Sequence, residues 1–247
     1  MFFLKNLFKK PIVIENPLNW DMHNHLLPGI DDGAQNEAIT LAMLNNYIEM
    51  GYEKLTATPH VMSDFYLNTP EIIEEKYKIA RTIIKANELP LELSFAAEYY
   101  IDGVLVNSLR NDGKLMTFGD NYILIETSFL SKPMVFESFV FDLISKGYQP
   151  VFAHPERYVY FHEDYEALER MIQLGLKLQI NLLSILGHYS PQAKKLAQWM
   201  IEHKHYHFLG TDAHKPVHIL MLNEVYKDPH FHKIDFDKVI NSKFYNL

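Results

Sequence analysis

Short apolar runs alternate with longer stretches of helical spacing along the chain, the pattern of a protein that interleaves strands with helices. The runs predict strands at Leu18–His23, Lys54–Thr58, Leu91–Glu98, Tyr122–Glu126, Pro150–Ala153, Lys177–Asn181 and Tyr206–Gly210. Helices are predicted at about Asn36–Met50, Pro70–Ala86, Met134–Lys146, Tyr165–Leu174 and Pro191–His203, with a last one near His218–Tyr226. Thr69-Pro70 and Ser190-Pro191 read as caps followed by proline in the first turn, and Gly51, Gly147 and Gly175 stand where helices should stop. About seven β/α units in a row fit a closed barrel or an open doubly wound sheet equally well at this level.

The polar positions separate the two. The strand ends deliver Asp21, His23 and His25, then His60, Glu98, Glu126, His154, Asn181 and finally Asp212 and His214. In a (β/α) barrel such ends converge on one face, whereas an open sheet spreads them along a line whose outer members cannot meet. The expectation is therefore a single-domain, closed (β/α) barrel of about seven units over residues 1–247, with residues 1–17 as an N-terminal extension.

Composition narrows the chemistry. The 247 residues include no cysteine, which excludes thiol nucleophiles, disulfides and thiolate metal sites. They include 13 histidines, and the formal charge of −8 argues against a nucleic-acid surface. No apolar run is long enough to span a bilayer, and the first ten residues have the wrong order of charge and apolarity for a signal peptide. That opening segment is expected to pack on the body, with a short amphipathic helix on a membrane or partner as the alternative. The cytoplasm is the expected compartment.

Asp21-Met22-His23-Asn24-His25 puts two imidazoles on the same side of an extended segment, a chelating arrangement. It runs into Leu27-Pro28-Gly29-Ile30-Asp31-Asp32-Gly33, a turn with adjacent carboxylates that can also be no more than a helix start. Thr58-Pro59-His60 ends the second strand on an imidazole, and Ala96-Ala97-Glu98 brings a carboxylate out of small apolar neighbours, where a cation would satisfy it. Ala153-His154-Pro155-Glu156-Arg157 and Gly210-Thr211-Asp212-Ala213-His214 complete the series; a surface Glu156–Arg157 ion pair is the plain reading of the former's last two residues. Mixed imidazole and carboxylate donors without sulfur suit manganese, iron, zinc or magnesium in a polynuclear site. His162, His188, His203, His205, His207, His218, His230 and His232 are expected at the surface or in support. Phe65-Tyr66, Tyr99-Tyr100, Phe129 and Tyr158-Val159-Tyr160 are expected to pack at the barrel rim, with a slot for a tyrosine ring as the alternative.

Taken in order, Asp-x-His-x-His, Pro-Gly-x-Asp-Asp-Gly, Thr-Pro-His, Ala-Glu, His-Pro-Glu-Arg and Asp-Ala-His resemble the polymerase and histidinol phosphatase (PHP) superfamily over about residues 20–215. Within it, Leu27–Gly33 and His154–Tyr158 look like the bacterial capsule-type tyrosine-protein phosphatases. The resemblance implies His23, His25, His60, Glu98, His154, Asp212 and His214 as metal ligands, Glu98 bridging, with Asp32 as the ligand from the turn and Asp31 its alternative. It implies a distorted (β/α)7 barrel holding a cluster of about three divalent ions, manganese foremost. It further implies Arg157 as a phosphate clamp and catalytic group, and Lys215 as a point charge toward substrate where the family often offers arginine; the candidates for proton donor are His214 and a metal-bound water.

The activity implied is hydrolysis of phosphotyrosine in a protein, such as an autophosphorylating bacterial tyrosine kinase that controls capsule or exopolysaccharide synthesis. A homo-oligomer is also implied. The competing readings are a small-molecule phosphatase of the histidinol-phosphate kind and a non-catalytic metal-binding module; a proofreading nuclease is disfavoured by the charge.

Overall fold

The computed structural model describes residues 16–243, and the reading of the first ten residues lies outside them. The strands are β1 (Trp20–Asp21), β2 (Lys54–Ala57), β3 (His60–Val61), β4 (Glu92–Phe95), β5 (Glu98–Tyr100), β6 (Tyr122–Glu126), β7 (Gln149–Ala153), β8 (Lys177–Asn181) and β9 (Phe208–Gly210). They form two sheets, ordered β1-β2-β4 and β3-β5-β6-β7-β8-β9, in which every pairing is parallel. The parallel α/β architecture expected from the alternating pattern is thus observed.

The second predicted strand stands nearly whole as β2, and after Thr58-Pro59 a further short strand, β3, follows it; the third divides into β4 and β5 at Ala96-Ala97. Proline has no N–H to give to a ladder, yet the pairing carries across the break through Ala96 N to Ala57 O (2.8 Å) and Glu98 N to Pro59 O (3.0 Å). Beyond β1 the chain stays extended and bonds to the segment after β9: Asp212 N donates to His23 O (2.8 Å) and His25 N to Ala213 O (3.0 Å).

The helices are α1 (Glu37–Glu49), α2 (Pro70–Ala86), α3 (Gly103–Arg110), α4 (Phe136–Ser145), α5 (Glu166–Gln173), α6 (Pro191–Glu202), α7 (Pro216–Leu220), α8 (Leu222–Val225) and α9 (Ile240–Lys243). The expected caps are present: Thr69 accepts from Ile72 N, and Ser190 accepts from Ala193 N. Gly147 and Gly175 end α4 and α5 with φ of +85° and +97°, a conformation costly for any residue with a Cβ. The stretch near His218–Tyr226 is two short helices, not one, and α3 and the small strand β3 are additions to the predicted set. No helix among the described residues is long and apolar enough to cross a membrane.

Alternation along the strands sorts the core. Ile123, Ile125, Phe152, Leu178, Ile180 and Leu209 join the large cluster shared with the helices. Leu124, Val151, Ala153 and Phe208 meet Trp20, Met22 and Phe118 in a second cluster on the other side of the sheet. Following that second side along β6, Tyr122 and Leu124 lead by the two-residue period to Glu126 at the strand's end. Both faces of the sheet are buried, as parallel sheets require, and polar groups gather at the C-terminal ends.

Candidate metal centre

Three imidazoles are fixed through the same ring atom. His23 Nδ1 donates to Gln179 Oε1 (2.9 Å), His25 Nδ1 to Asp31 Oδ2 (2.8 Å), and His214 Nδ1 to the carbonyl of Asp212 (2.9 Å). An imidazole that donates through Nδ1 keeps a lone pair on Nε2. His23 Nε2 and His25 Nε2 face each other at 3.4 Å. Both also face Glu98 Oε2, at 3.0 and 3.3 Å, and Asp212 Oδ1, at 3.4 and 3.3 Å.

Ligand atoms cluster in three overlapping groups: His25, Asp32, His60 and His214; His23, His25, Glu98 and Asp212; and His60, Glu98 and Glu126. His154 adjoins them through Nε2, 3.1 Å from Glu98 Oε1. Glu98 therefore turns one oxygen to His154 and the other to His23, His25 and His60. The backbone reaches this geometry under strain, since His154 and Asp212 both hold positive φ, at +35° and +50°.

The donor set fits divalent cations. Glu98 Oε2 and Asp212 Oδ1 are buried oxygens that no hydrogen-bond donor satisfies, and buried carboxylate oxygens without donors are costly unless positive charge meets them. The ionisation tendencies agree. Burial opposes charge on His23, His25 and His60, yet the nearby carboxylates outweigh it, driving all three upward, His60 to about 9. Burial likewise works against the charge on Glu98 and Asp212, but His23 with His60, and His23 with His214, hold them well below the usual carboxylate range. Imidazole and carboxylate oxygens, with no sulfur, are donors for zinc, iron or manganese.

The two adjacent aspartates have different partners. Both Asp31 oxygens take protein donors: His25 Nδ1 and His60 N (3.2 Å) at Oδ2, Gly33 N (2.9 Å) at Oδ1. Asp32, half-exposed, points Oδ1 at His214 Nε2 (3.3 Å) and His60 Nε2 (3.5 Å). Asp21, also a strand-end carboxylate, faces elsewhere: it accepts from Tyr47 Oη and Thr211 Oγ1, each at 2.7 Å, and locks the first strand to the last.

Arg157 follows His154 on a 3₁₀ turn, Pro155–Arg157. Its guanidinium lies between the rings of Phe129 (4.5 Å) and Tyr189 (4.2 Å), and Nη1 donates to Asp212 Oδ2 at 2.6 Å. Glu156 is not its surface partner. Glu156 is fully buried, accepts from Ser184 Oγ (2.6 Å) and Asn181 N (2.9 Å), and burial pushes its carboxyl up to about 7. Successive residues of a tight turn point apart, so the alternative of a Glu156–Arg157 surface pair gives way to two separate attachments.

Above the centre is a cleft of about 400 Å³ lined by Asp32, His60, Tyr66, Tyr100, Glu126, Phe129, Arg157, Asp212 and His214, among others. Tyr66, Tyr100 and Phe129 stand on its walls, while Tyr99 and Tyr158 are buried and pack, which divides the aromatic residues between the two roles foreseen for them. Lys215 is exposed at the start of α7 and does not line the cleft. Glu126, a strand-end residue not singled out as a ligand, sits 3.0 Å from His60 Nδ1. Asn181 Nδ2 donates to Asp212 Oδ2 (2.7 Å), and its place at the end of β8 was the available sign. Tyr189 follows the 3₁₀ helix Leu182–Leu186 and carried no sign in the sequence.

Comparison with known proteins agrees with the site. The capsular polysaccharide synthesis family CpsB/CapC matches residues 19–219. Tyrosine-protein phosphatase YwqE of Bacillus subtilis (strain 168) is 33% identical over 195 residues, 78% of this chain and 76% of that protein. Tyrosine-protein phosphatase CpsB of Streptococcus pneumoniae is 25% identical over 200 residues, 78% of this chain and 82% of that protein. A crystal structure from work on YwqE and CpsB, described as unique metal-dependent tyrosine phosphatases, aligns with a TM-score of 0.74 and 29% identity over 84% of this chain and 90% of that one. Histidinol phosphate phosphatase of Lactococcus lactis aligns with a TM-score of 0.51 and 15% identity over 84% of this chain and 92% of that one, a likeness of fold. The chain belongs to the CpsB/CapC family of capsular polysaccharide synthesis.

Proposed function

We propose that this chain is a metal-dependent protein-tyrosine phosphatase. The observation that carries the reading is the convergence of three overlapping donor groups and Arg157 beneath an aromatic-walled cleft, in a chain without cysteine. His23, His25, Asp32, His60, Glu98, His154, Asp212 and His214 would hold about three divalent ions, manganese first among the candidates. Glu126 joins this set through His60 and Glu98. Divalent ions bound there supply an activated water nucleophile and offset charge on the phosphoryl oxygens.

The chain's own residues supply the rest. Arg157 spends Nη1 on Asp212, which aims the guanidinium into the cleft, and its planar fork suits two phosphoryl oxygens at once. Tyr66, Tyr100 and Phe129 offer faces to a tyrosine ring. A phenolate with a parent pKa of about 10 leaves without a strong acid. His214 is placed to hold an ion in preference to donating a proton, because its Nδ1–H is committed to Asp212 O and its Nε2 faces Asp32. Phosphate recognition is assigned to Arg157 and not to the exposed Lys215.

The strands are inferred to close into one distorted (β/α)7 barrel that makes a single domain, supported by the bonds joining residues 23–25 to residues 212–213. The protein substrate is inferred to be an autophosphorylating tyrosine kinase of capsular or exopolysaccharide synthesis, met in the cytoplasm; the family's role in capsular polysaccharide synthesis supports the process. The test is hydrolysis of a phosphotyrosine peptide beside a phosphoserine peptide and histidinol phosphate, with Mn²⁺ and with chelator. Chelator-sensitive preference for phosphotyrosine is expected; better turnover of histidinol phosphate overturns the reading in favour of a small-molecule enzyme.

A further inference from the structure

Tyr66 has a second face. Its ring lies nearly parallel to His60, with centroids 5.4 Å apart and 13° between planes. The short turn that carries it is closed by Met62 N to Tyr66 O (3.0 Å) and Tyr66 N to Met62 O (2.9 Å). Met62 and Tyr66 line the cleft over the metal centre, and both also line a neighbouring groove of about 480 Å³. The two concavities thus adjoin, with Met62 and Tyr66 common to both linings.

The groove is mainly apolar. Val61, Leu67, Tyr99, Val104, Leu105 and Met116 line it. Its lining carboxylate, Asp102, is spent on Leu105 N (2.8 Å) and Ser63 N (3.0 Å), and the Tyr99 hydroxyl accepts from Met116 N (2.9 Å). On its lining, Leu67 and Val104 are 74% and 64% exposed. Large apolar side chains gathered round a concavity, in contrast to scattered singly, mark a surface that another molecule covers.

We propose that this groove receives an apolar side chain of the substrate polypeptide close in sequence to the phosphotyrosine, so that it sets which tyrosines are chosen. The proposal rests on the phosphotyrosine-protein reading of the centre. A protein substrate with its phosphotyrosine in the cleft must carry its chain over the rim, and Tyr66 is part of that rim. An extended peptide advances roughly 3.3 Å per residue, so about two or three residues take it past one ring's width. Lys114 also lines the groove, yet the protein's net charge of −8 works against an acidic flank, whereas a leucine loses water against the groove's apolar walls.

Two phosphotyrosine peptides, identical except for leucine or serine at the second and third positions on either side of the tyrosine, test it beside p-nitrophenyl phosphate, which has no flanks. With Mn²⁺, the leucine peptide is expected to show about tenfold higher kcat/KM, carried in KM. Val104→Asp, and separately Leu67→Asp, both at exposed positions, should erase that preference and leave p-nitrophenyl phosphate turnover unchanged. Equal kcat/KM for the two peptides in the native protein, or a preference that survives both substitutions, overturns the groove assignment. If no ester is cleaved the phosphatase reading fails instead, and fluorescence polarisation of the labelled peptides still decides the groove: equal binding of the two overturns it.

Discussion

Asp31 Oδ2 stands 2.8 Å from His25 Nδ1, while the next residue, Asp32, turns Oδ1 toward His214 Nε2 at 3.3 Å. One carboxylate orients an imidazole of the candidate centre, and the other belongs to one of its candidate donor groups. Asp31→Asn is expected to keep the number of ions bound but weaken their retention about 10–100-fold, the usual effect of losing a ligand's supporting partner. Asp32→Ala is expected to lower the metal content itself. Metal analysis after dialysis against buffered Mn²⁺ separates the two, and the opposite assignment of effects would reverse the roles.

Arg157 touches the centre through Asp212 Oδ2, an oxygen that Asn181 Nδ2 also serves at 2.7 Å. Asp212 therefore keeps a donor when the guanidinium is removed. Arg157→Ala should cost about 100-fold or more in kcat/KM toward a phosphotyrosine peptide, the scale of losing one aligned donor to a transition state, with metal content nearly unchanged. Arg157→Lys should recover little, because an ammonium cannot match two oxygens in a plane. Parallel loss of metal and activity would show that Arg157 holds the centre together and is no clamp.

Much of this site was readable because its residues close apolar runs. The segments Tyr122–Glu126 and Lys177–Asn181 appear in the structure with the predicted ends, and the strand-end imidazoles and carboxylates do converge. What escaped depends on partners distant in sequence. The strand His60–Val61 exists only because it pairs with Glu98–Tyr100, a relation that no local period contains. Helix α3 opens on Gly103 and carries Val104 and Val106, residues with weak helix preference, so only the Asp102 cap announced it. Neighbouring Glu156 and Arg157 invited a local pairing, yet their partners are Ser184 and Asp212. Tyr189 reaches Arg157 from a connection without periodicity.

Gly33 packs directly on the first ligand strand. A Cβ there would fall 2.0 Å from His25 O and 2.4 Å from His25 Cβ, while Ala34 N needs that same carbonyl at 2.9 Å. The turn bearing Asp31 and Asp32 cannot retreat without pulling both carboxylates from their imidazoles. Gly33→Ala is therefore expected to cost about 1–3 kcal/mol in stability, as overpacking does, and to weaken metal binding as well. Gly103→Ala, where an added Cβ meets nothing within 4 Å, serves as the control and should be harmless. Thermal unfolding and metal titration of the two variants check this; a Gly33→Ala protein with native Tm and metal affinity would refute the close packing.

His207 lies outside the metal centre and is neutral for a structural reason. Its Nδ1 accepts from Leu178 N at 3.1 Å, its own N donates to Leu178 O at 2.8 Å, and burial, with Lys177 and His205 nearby, pulls its pKa down to about 4. In the unfolded chain it titrates near 6.5. Between these values the unfolded state binds a proton that the folded state refuses, so stability falls as pH drops from about 6.5 toward about 4 and is unaffected above that window. His207→Asn leaves an amide oxygen to accept from Leu178 N and removes the titration. The native protein should be the more stable at pH 7, and its advantage should shrink as the pH falls through the window, by on the order of 2 kcal/mol once solvent screening is allowed for. Urea unfolding of both proteins at pH 7, 5.5 and 4.5 measures the difference, and protonation of the metal ligands, common to both, cancels from it. A difference that does not change with pH would show that His207 takes up its proton as readily in the folded protein as in the unfolded chain.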